Sequence, residues 1–286
     1  MAVIVVTSNA AGEGKTGVAA AIARHYAYLG TPVTIARAAG EGANALDAAY
    51  LGSLAFAPGS PAMATTSLAD PGPGRLLVVE AEPEAAASLP GATVVLVSRD
   101  VASAAPAGLT PAAVVVTDVD GLRGVSVPEA AVPTILLGED RTLAGFSIDE
   151  VRAVLHTETL VEGDVSDTTC DYLVIAPIAS DAGQPYFKRF DSKAVVVRFD
   201  KTDMHLAAMK ADPACLILTG GRRPSEYLFD AATANGVPVL LSRTDTENTV
   251  IALEGIFDRT RFVGERKLDR MCELLESSPL FDILGR

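Results

Sequence analysis

Short runs of apolar β-formers recur along this chain at Val3–Val6, Leu76–Val79, Val94–Val97, Val114–Val116 and Leu216–Leu218. None alternates apolar with polar residues, so each reads as a strand buried on both faces. Such a strand needs helices on either side of its sheet, and the intervening Ala-rich stretches supply helical sequence. The chain is therefore expected to be α/β, with mostly parallel sheets. Mean hydropathy is high at +0.30, yet no uninterrupted apolar run approaches the roughly 20 residues of a membrane span.

In the first half, strands are expected at Ala2–Thr7, Val33–Ala36, Leu76–Glu80, Thr93–Ser98, Ala113–Thr117 and Thr134–Gly138. A helix is expected from Lys15 to Leu29, ended by Gly30 and Pro32, and another near Ala45–Leu54. Pro71, Gly72, Pro73 and Gly74 read as a turn. Ser147 and Glu150 have the spacing of a capping box that opens a helix to Leu155. In the second half, strands are expected at Tyr172–Ala176, Ala194–Phe199, Cys215–Thr219 and Val237–Ser242. Helices are expected at Thr202–Ala211, Pro224–Asn235, Glu247–Phe257 and Glu265–Ser277. At 286 residues two domains are expected, divided between Leu155 and Asp171, where Glu162-Gly163-Asp164 reads as a turn. We place them at 1–158 and 159–286.

Formal charge is −13, with −8 on residues 1–150 and −5 on 151–286, so neither half offers a broad basic face for nucleic acid. Cys170, Cys215 and Cys272 are odd in number and widely spaced, which argues against a disulfide framework or structural zinc. With no basic region ahead of the first apolar run, a cytoplasmic, non-membrane protein is expected. His25, His156 and His205 show no metal-ligand spacing and read as structural.

The strongest local signal is Asn9-Ala10-Ala11-Gly12-Glu13-Gly14-Lys15-Thr16, between an apolar strand and an Ala-rich helix. A phosphate-binding loop needs that frame, with backbone N–H groups and the helix N-terminus facing the anion. Lys15 would reach the β/γ oxygens and Thr16 would ligate Mg²⁺, and Lys15 is expected to stand exposed without ligand. Asn9 takes the first glycine position of GxxxxGK[ST], which Asn tolerates through its access to left-handed backbone angles. Glu80 ends an apolar strand and is a metal candidate. Arg37 ends another and is a candidate for an anionic ligand, and Asp47 is a weaker metal candidate. Asp120 sits where a guanine-reading motif carries its carboxylate, but the Asn and Lys of that motif are absent, so adenine is favoured over guanine.

On these residues the first half resembles the dethiobiotin synthetase-like P-loop group, and within it the non-catalytic N-terminal region of long phosphotransacetylases. The resemblance rests on Asn9–Thr16, on Leu77-Val78-Val79-Glu80, and on Val132–Leu143, where Glu139-Asp140-Arg141 match a "P-E-D-R-x-L" stretch. The departures are Ala10, Ala11 and Gly12 in the loop, Arg37-Ala38 for a lysine-proline pair, and Ala81-Glu82-Pro83 for a glycine-rich stretch. They remove most substrate-handling groups, so dethiobiotin synthesis is not expected. The signature lysine of partition ATPases falls at Ala10, and the acyltransferase module of phosphotransacetylases has no counterpart within these residues.

The second half resembles the DRTGG domain. Asp200 matches its Asp, Lys201 replaces its Arg, and Thr219-Gly220-Gly221 match its last three residues. With Arg222 and Arg223, these are the candidates for a second ligand site. The reading that results is a regulatory or sensor protein that binds ATP or ADP with Mg²⁺. Its cofactor-binding residues would be Asn9, Ala10, Ala11, Gly12, Glu13, Gly14, Lys15, Thr16 and Arg37, and its metal residues Thr16 and Glu80. No catalytic residue is assigned, and at most slow ATP hydrolysis is expected. The alternatives are an ATP-dependent carboxylate-activating synthetase and a scaffold that binds no nucleotide. A homodimer and a partner enzyme are implied by the resemblance. Leu274, Leu275, Leu280, Phe281, Ile283 and Leu284 near the C-terminus, apolar side chains in need of a cover, point the same way.

Overall fold

The computed structural model describes residues 3–38, 45–57, 73–121, 132–165, 168–176 and 183–285, with side-chain detail from residue 185 in the last stretch. The chain forms two compact units, Met1–Asp140 with Lys267–Arg286, and Arg141–Arg266. Each is an α/β layer structure.

The first unit is built on six strands: β1 (Val3–Ser8), β2 (Val33–Arg37), β3 (Leu76–Glu80), β4 (Thr93–Ser98), β5 (Ala113–Val119) and β6 (Thr134–Gly138). All pair in parallel, in the order β2-β3-β1-β4-β5-β6. The chain thus starts in the sheet interior and crosses over on both sides, which brings the carboxyl ends of β1, β3 and β2 side by side. Such an edge is where ligands bind in open parallel sheets. The apolar runs are the sheet core: Ile4, Val5, Val6, Val78, Val79, Val95, Leu96 and Val97 are all fully buried. Helices α1 (Lys15–Tyr28), α2 (Ala45–Gly52) and α3 (Pro83–Ala87) connect strands. In α1, Val18 to Ala23 are all fully buried, because small alanines let the helix lie close to the strands. Part of the expected Pro71–Gly74 turn, Pro71 and Gly72, lies outside the described residues.

The second unit holds α4 (Arg141–Ala144), β7 (Phe146–Ser147), α5 (Ile148–Leu155), β8 (Glu158–Val161), β9 (Thr169–Cys170), β10 (Tyr172–Ile175), α6 (Gly183–Phe187), β11 (Lys193–Arg198), α7 (Thr202–Met209), β12 (Cys215–Thr219), α8 (Glu226–Asn235), β13 (Val239–Leu241) and α9 (Thr246–Leu253). Its five-stranded sheet runs β10-β11-β12-β13-β8, with β8 antiparallel on β13. One apolar layer lies on each face of that sheet, around Val195, Val197 and Leu216 on one side and Val196, Ile217 and Leu240 on the other. The Ser147 capping box is present in both directions.

The units are not cut at 158/159. Helix α5 packs its Ile148 and Val151 into the same core layer as Leu253 and Ile256 of the second unit. Strand β7 pairs with β9, and β8 is an edge strand of the second sheet rather than linker. Its short, half-exposed run Glu158–Val161 gives no buried-strand signal.

The chain returns to the first unit through α10 (Glu265–Glu276) and ends in α11 (Leu280–Leu284). Leu275, Leu280, Phe281 and Leu284 are buried there, and Leu274 and Ile283 are partly covered. Phe281 stacks on His25 of α1 with ring centroids 3.6 Å apart, and Tyr26 donates a hydrogen bond to the Gly285 carbonyl at 2.7 Å. The apolar C-terminus is thus covered by its own chain. That removes the physical argument for a dimer through these side chains. It also shows that the end of the chain belongs to the first unit and not to the domain expected at 159–286.

Candidate functional site

The loop Asn9–Thr16 joins the carboxyl end of β1 to the start of α1. Gly12 and Gly14 have φ of +80° and +96°, a region that costs other residues steric strain. Gly14 is the residue before the helix, and a Cβ there would meet the Thr117 side chain at 3.4 Å. Thr117, in the carboxyl-terminal half of β5, donates from Oγ1 to the Glu13 carbonyl at 2.9 Å. Asn9 donates from Nδ2 to Ser103 Oγ at 2.8 Å and to the Ala104 carbonyl at 2.9 Å. The asparagine in the first-glycine position therefore acts as a tether to the segment after β4, a role its backbone tolerance did not suggest. Ala10, Ala11 and Gly12 form the turn between these anchors, and Glu13 accepts from the Ala10 N–H at 3.1 Å.

Lys15 is buried, at 5% exposure, contrary to the expectation that it stands free. Its Nζ donates to both carboxylate oxygens of Glu82 at 3.0 Å. Arg37, also buried, reaches Glu82 Oε1 through Nη2 at 2.6 Å and Glu80 Oε1 through Nη1 at 2.6 Å. Thr16 donates from Oγ1 to Glu80 Oε1 at 3.0 Å. Two cations and two carboxylates thus form one interior cluster at the ends of β2 and β3. Of the expected residues the structure brings together Lys15, Thr16, Arg37 and Glu80, and it adds Glu82 and Thr117, which the sequence did not single out. Glu82 was legible as an acid just before Pro83, since proline commonly opens a helix. Asp47 contributes to the field on Glu80.

Burial pushes the Glu80 carboxyl up to about 7, outweighing the opposing pull of Arg37 and the Thr16 hydrogen bond. Its Oε2 is buried with no hydrogen-bond partner among the described residues. A hydroxyl and a carboxylate with an open oxygen are hard donors that fit Mg²⁺. No group of three or more His, Cys, Asp or Glu suited to a metal occurs among the described residues, so most ligands of such an ion would come from water or phosphate.

A carboxyl raised from its ordinary 4.5 to about 7 binds more proton in the folded than in the unfolded chain between those values. Its contribution to stability is complete below about 4.5 and is lost as pH rises through 7, a swing of about 3 kcal/mol. Replacing Glu80 with Gln is expected to remove that slope. Urea titrations of both proteins from pH 5 to 8 measure it, and equal slopes would refute the assignment.

In the second unit, the carboxyl ends of β11, β12 and β13 gather the other candidates. Gly220 and Gly221 have φ of +96° and +66°, and their N–H groups donate to the carbonyls of Thr244 at 2.7 Å and Ser242 at 3.0 Å. A Cβ on Gly220 would lie 2.8 Å from the Phe199 ring. Thr219 Oγ1 meets Thr246 Oγ1 at 2.7 Å, and Ser242, Thr244 and Thr249 share hydroxyl hydrogen bonds. Asp200 pairs with Arg198 at 2.7 Å, and Arg222 lies over Phe199 at 5.8 Å. Lys201 precedes α7. Arg223 pairs with Glu158 at 3.4 Å, exposed on both sides. The structure therefore brings Thr219, Gly220 and Gly221 together with Ser242–Thr246, whereas Arg223 turns to the edge strand. His205 is fully buried, its Nε2 donating to the Arg198 carbonyl, and burial lowers its pKa. Cys170, Cys215 and Cys272 are all buried.

Residues 150–256 match the DRTGG domain. The match opens on the capping-box glutamate and ends at Ile256, inside the second unit. The DRTGG domain of this chain carries Asp200-Lys201 and Thr219-Gly220-Gly221 at two neighbouring strand ends. Among solved structures, the chain is similar to the CBS and DRTGG domains of the regulatory region of Clostridium perfringens pyrophosphatase, complexed with its activator diadenosine tetraphosphate. Identity is 19%, the TM-score is 0.33, and the similarity covers 40% of this chain and 47% of that one. The chain thus spans about half the length of that structure.

Proposed function

We propose that this chain is a nucleotide-binding regulatory protein. Its first unit, of the P-loop, dethiobiotin synthetase-like type, binds ATP or ADP through Asn9–Thr16 and Arg37. Its DRTGG domain holds a second ligand near Thr219–Arg222 and supports self-association. The observation that carries this reading is the cluster at the head of α1. Lys15 and Thr16 follow a loop whose two glycines take left-handed angles, and both side chains meet acids at the end of β3 or just beyond it. Backbone N–H groups at a helix start, a lysine and a hydroxyl beside a carboxylate are the groups a polyphosphate needs. Thr16 and Glu80 would hold Mg²⁺, which supplies neutralisation of phosphate charge. Lys15 and Arg37 would bind and orient the terminal phosphates.

Mg²⁺–ADP or Mg²⁺–ATP at 100 times its dissociation constant is expected to add about 2.7 kcal/mol, a shift of about 5–10 °C in the melting of the first unit. Lys15→Met should abolish the shift. Turnover should stay below the ~1–100 s⁻¹ of kinases. Thermal-shift titrations with a phosphate-release assay test both, and light scattering of the same samples tests self-association. A folded wild-type protein unmoved by any purine nucleotide would overturn the reading.

A further inference from the structure

Two carboxylates sit on the groups that a phosphate chain would use. Glu82 accepts from Lys15 with both oxygens and from Arg37 with one, so a single carboxylate spans the two buried cations. Glu13 accepts from a loop N–H, that of Ala10. The side chains of Lys15 and Arg37 are 6% and 3% exposed, whereas that of Glu82 is 22% exposed. The carboxylate is thus the solvent-side member of the cluster, and an arriving anion meets it first. Glu82 is also the residue before α3, and its side chain makes no capping hydrogen bond. It is committed to the two cations, and turning it away leaves the helix start intact.

We infer that Glu82 is a built-in competitor for the phosphate site, occupying Lys15 and Arg37 as an internal anion and so setting how tightly an oxyanion ligand binds. This rests on the nucleotide reading proposed above. The ligand class is a terminal phosphate or other oxyanion with at least two oxygens, because both cations share one two-oxygen partner. Binding then requires Glu82 to leave, and the apparent affinity is reduced by the fraction of molecules in which it has left. Arg37 keeps Glu80 when Glu82 departs, so the exchange frees Lys15 above all.

The experiment compares Mg²⁺–ADP binding by calorimetry in the full-length wild type, in Glu82→Gln and in Glu82→Asp, with Lys15→Met in each background. Glu82→Gln should bind at least tenfold tighter than wild type. Glu82→Asp, which keeps the charge but retracts it by one methylene, should fall between them. Lys15→Met should remove binding throughout. Should Glu82→Gln fail to fold, the Asp variant decides by the same direction of change. Wild-type binding that either variant leaves unchanged or weakens would overturn the competitor role while the nucleotide reading stands. Absence of binding in all folded variants would overturn both.

Discussion

Deleting residues 278–286 is expected to unfold the first unit and to leave the melting transition of the second in place. The deletion removes Leu280, Phe281 and Leu284, which are 0%, 8% and 1% exposed. At about 1.5–3 kcal/mol per buried apolar side chain, their burial contributes up to about 9 kcal/mol, an upper bound because unfolded chains are not fully extended. Single domains have only about 5–15 kcal/mol in total. The deletion also uncovers the ring of His25 and leaves the Tyr26 hydroxyl without the Gly285 carbonyl. Calorimetry of the shortened chain should show the transition of the first unit lost or merged with aggregation. An unchanged first transition would show that α11 is dispensable. The result bears on assembly too. If these side chains served a dimer instead, the deletion would yield a folded monomer, and light scattering separates the two outcomes.

The elements most visible in the sequence were those whose signal is local. The strands at Leu76–Glu80, Thr93–Ser98, Thr134–Gly138 and Cys215–Thr219 follow from uninterrupted apolar runs, and the Ser147 helix follows from its capping box. Strand β8 and the pairing of β7 with β9 were not legible, because two- to four-residue edge elements carry no period and depend on partners far along the chain. Strand β5 runs two residues beyond its expected end at Thr117, to Val119, across a shift in its register with β6. The C-terminal helices were misassigned for a related reason. Amphipathic sequence announces that a face will be covered but not by what, and Phe281 finds α1 more than 250 residues earlier. In the candidate site, the chemistry of Lys15, Thr16, Arg37 and Glu80 was readable from residue type and frame. Their mutual neutralisation was not, since it depends on the sheet order that places β2 and β3 together beside β1.

Gly163→Ala is expected to cost the second unit about 2–4 kcal/mol, through a clash that side-chain movement cannot relieve. Gly163 follows β8 with φ of +62°. A Cβ there would lie 2.4 Å from the Pro238 nitrogen, 2.6 Å from the Gly236 carbonyl oxygen and 2.6 Å from Pro238 Cδ. These are backbone and ring atoms at the entry to β13, so the turn itself must move. The same displacement weakens the hydrogen bond from the Asp164 N–H to the Gly236 carbonyl, 2.8 Å, and loosens β8 from β13 at Val161 and Val239. Gly236 is the internal control. Its φ is +65°, but a Cβ there meets nothing within 4 Å. Gly236→Ala should therefore cost only the left-handed strain, about 1–2 kcal/mol. The difference between the two variants isolates the steric contact from the backbone angle they share. Urea unfolding followed by far-ultraviolet circular dichroism gives both values. If Gly163→Ala proved no worse than Gly236→Ala, the close approach of the β8 turn to Pro238 would not be a constraint on the DRTGG domain.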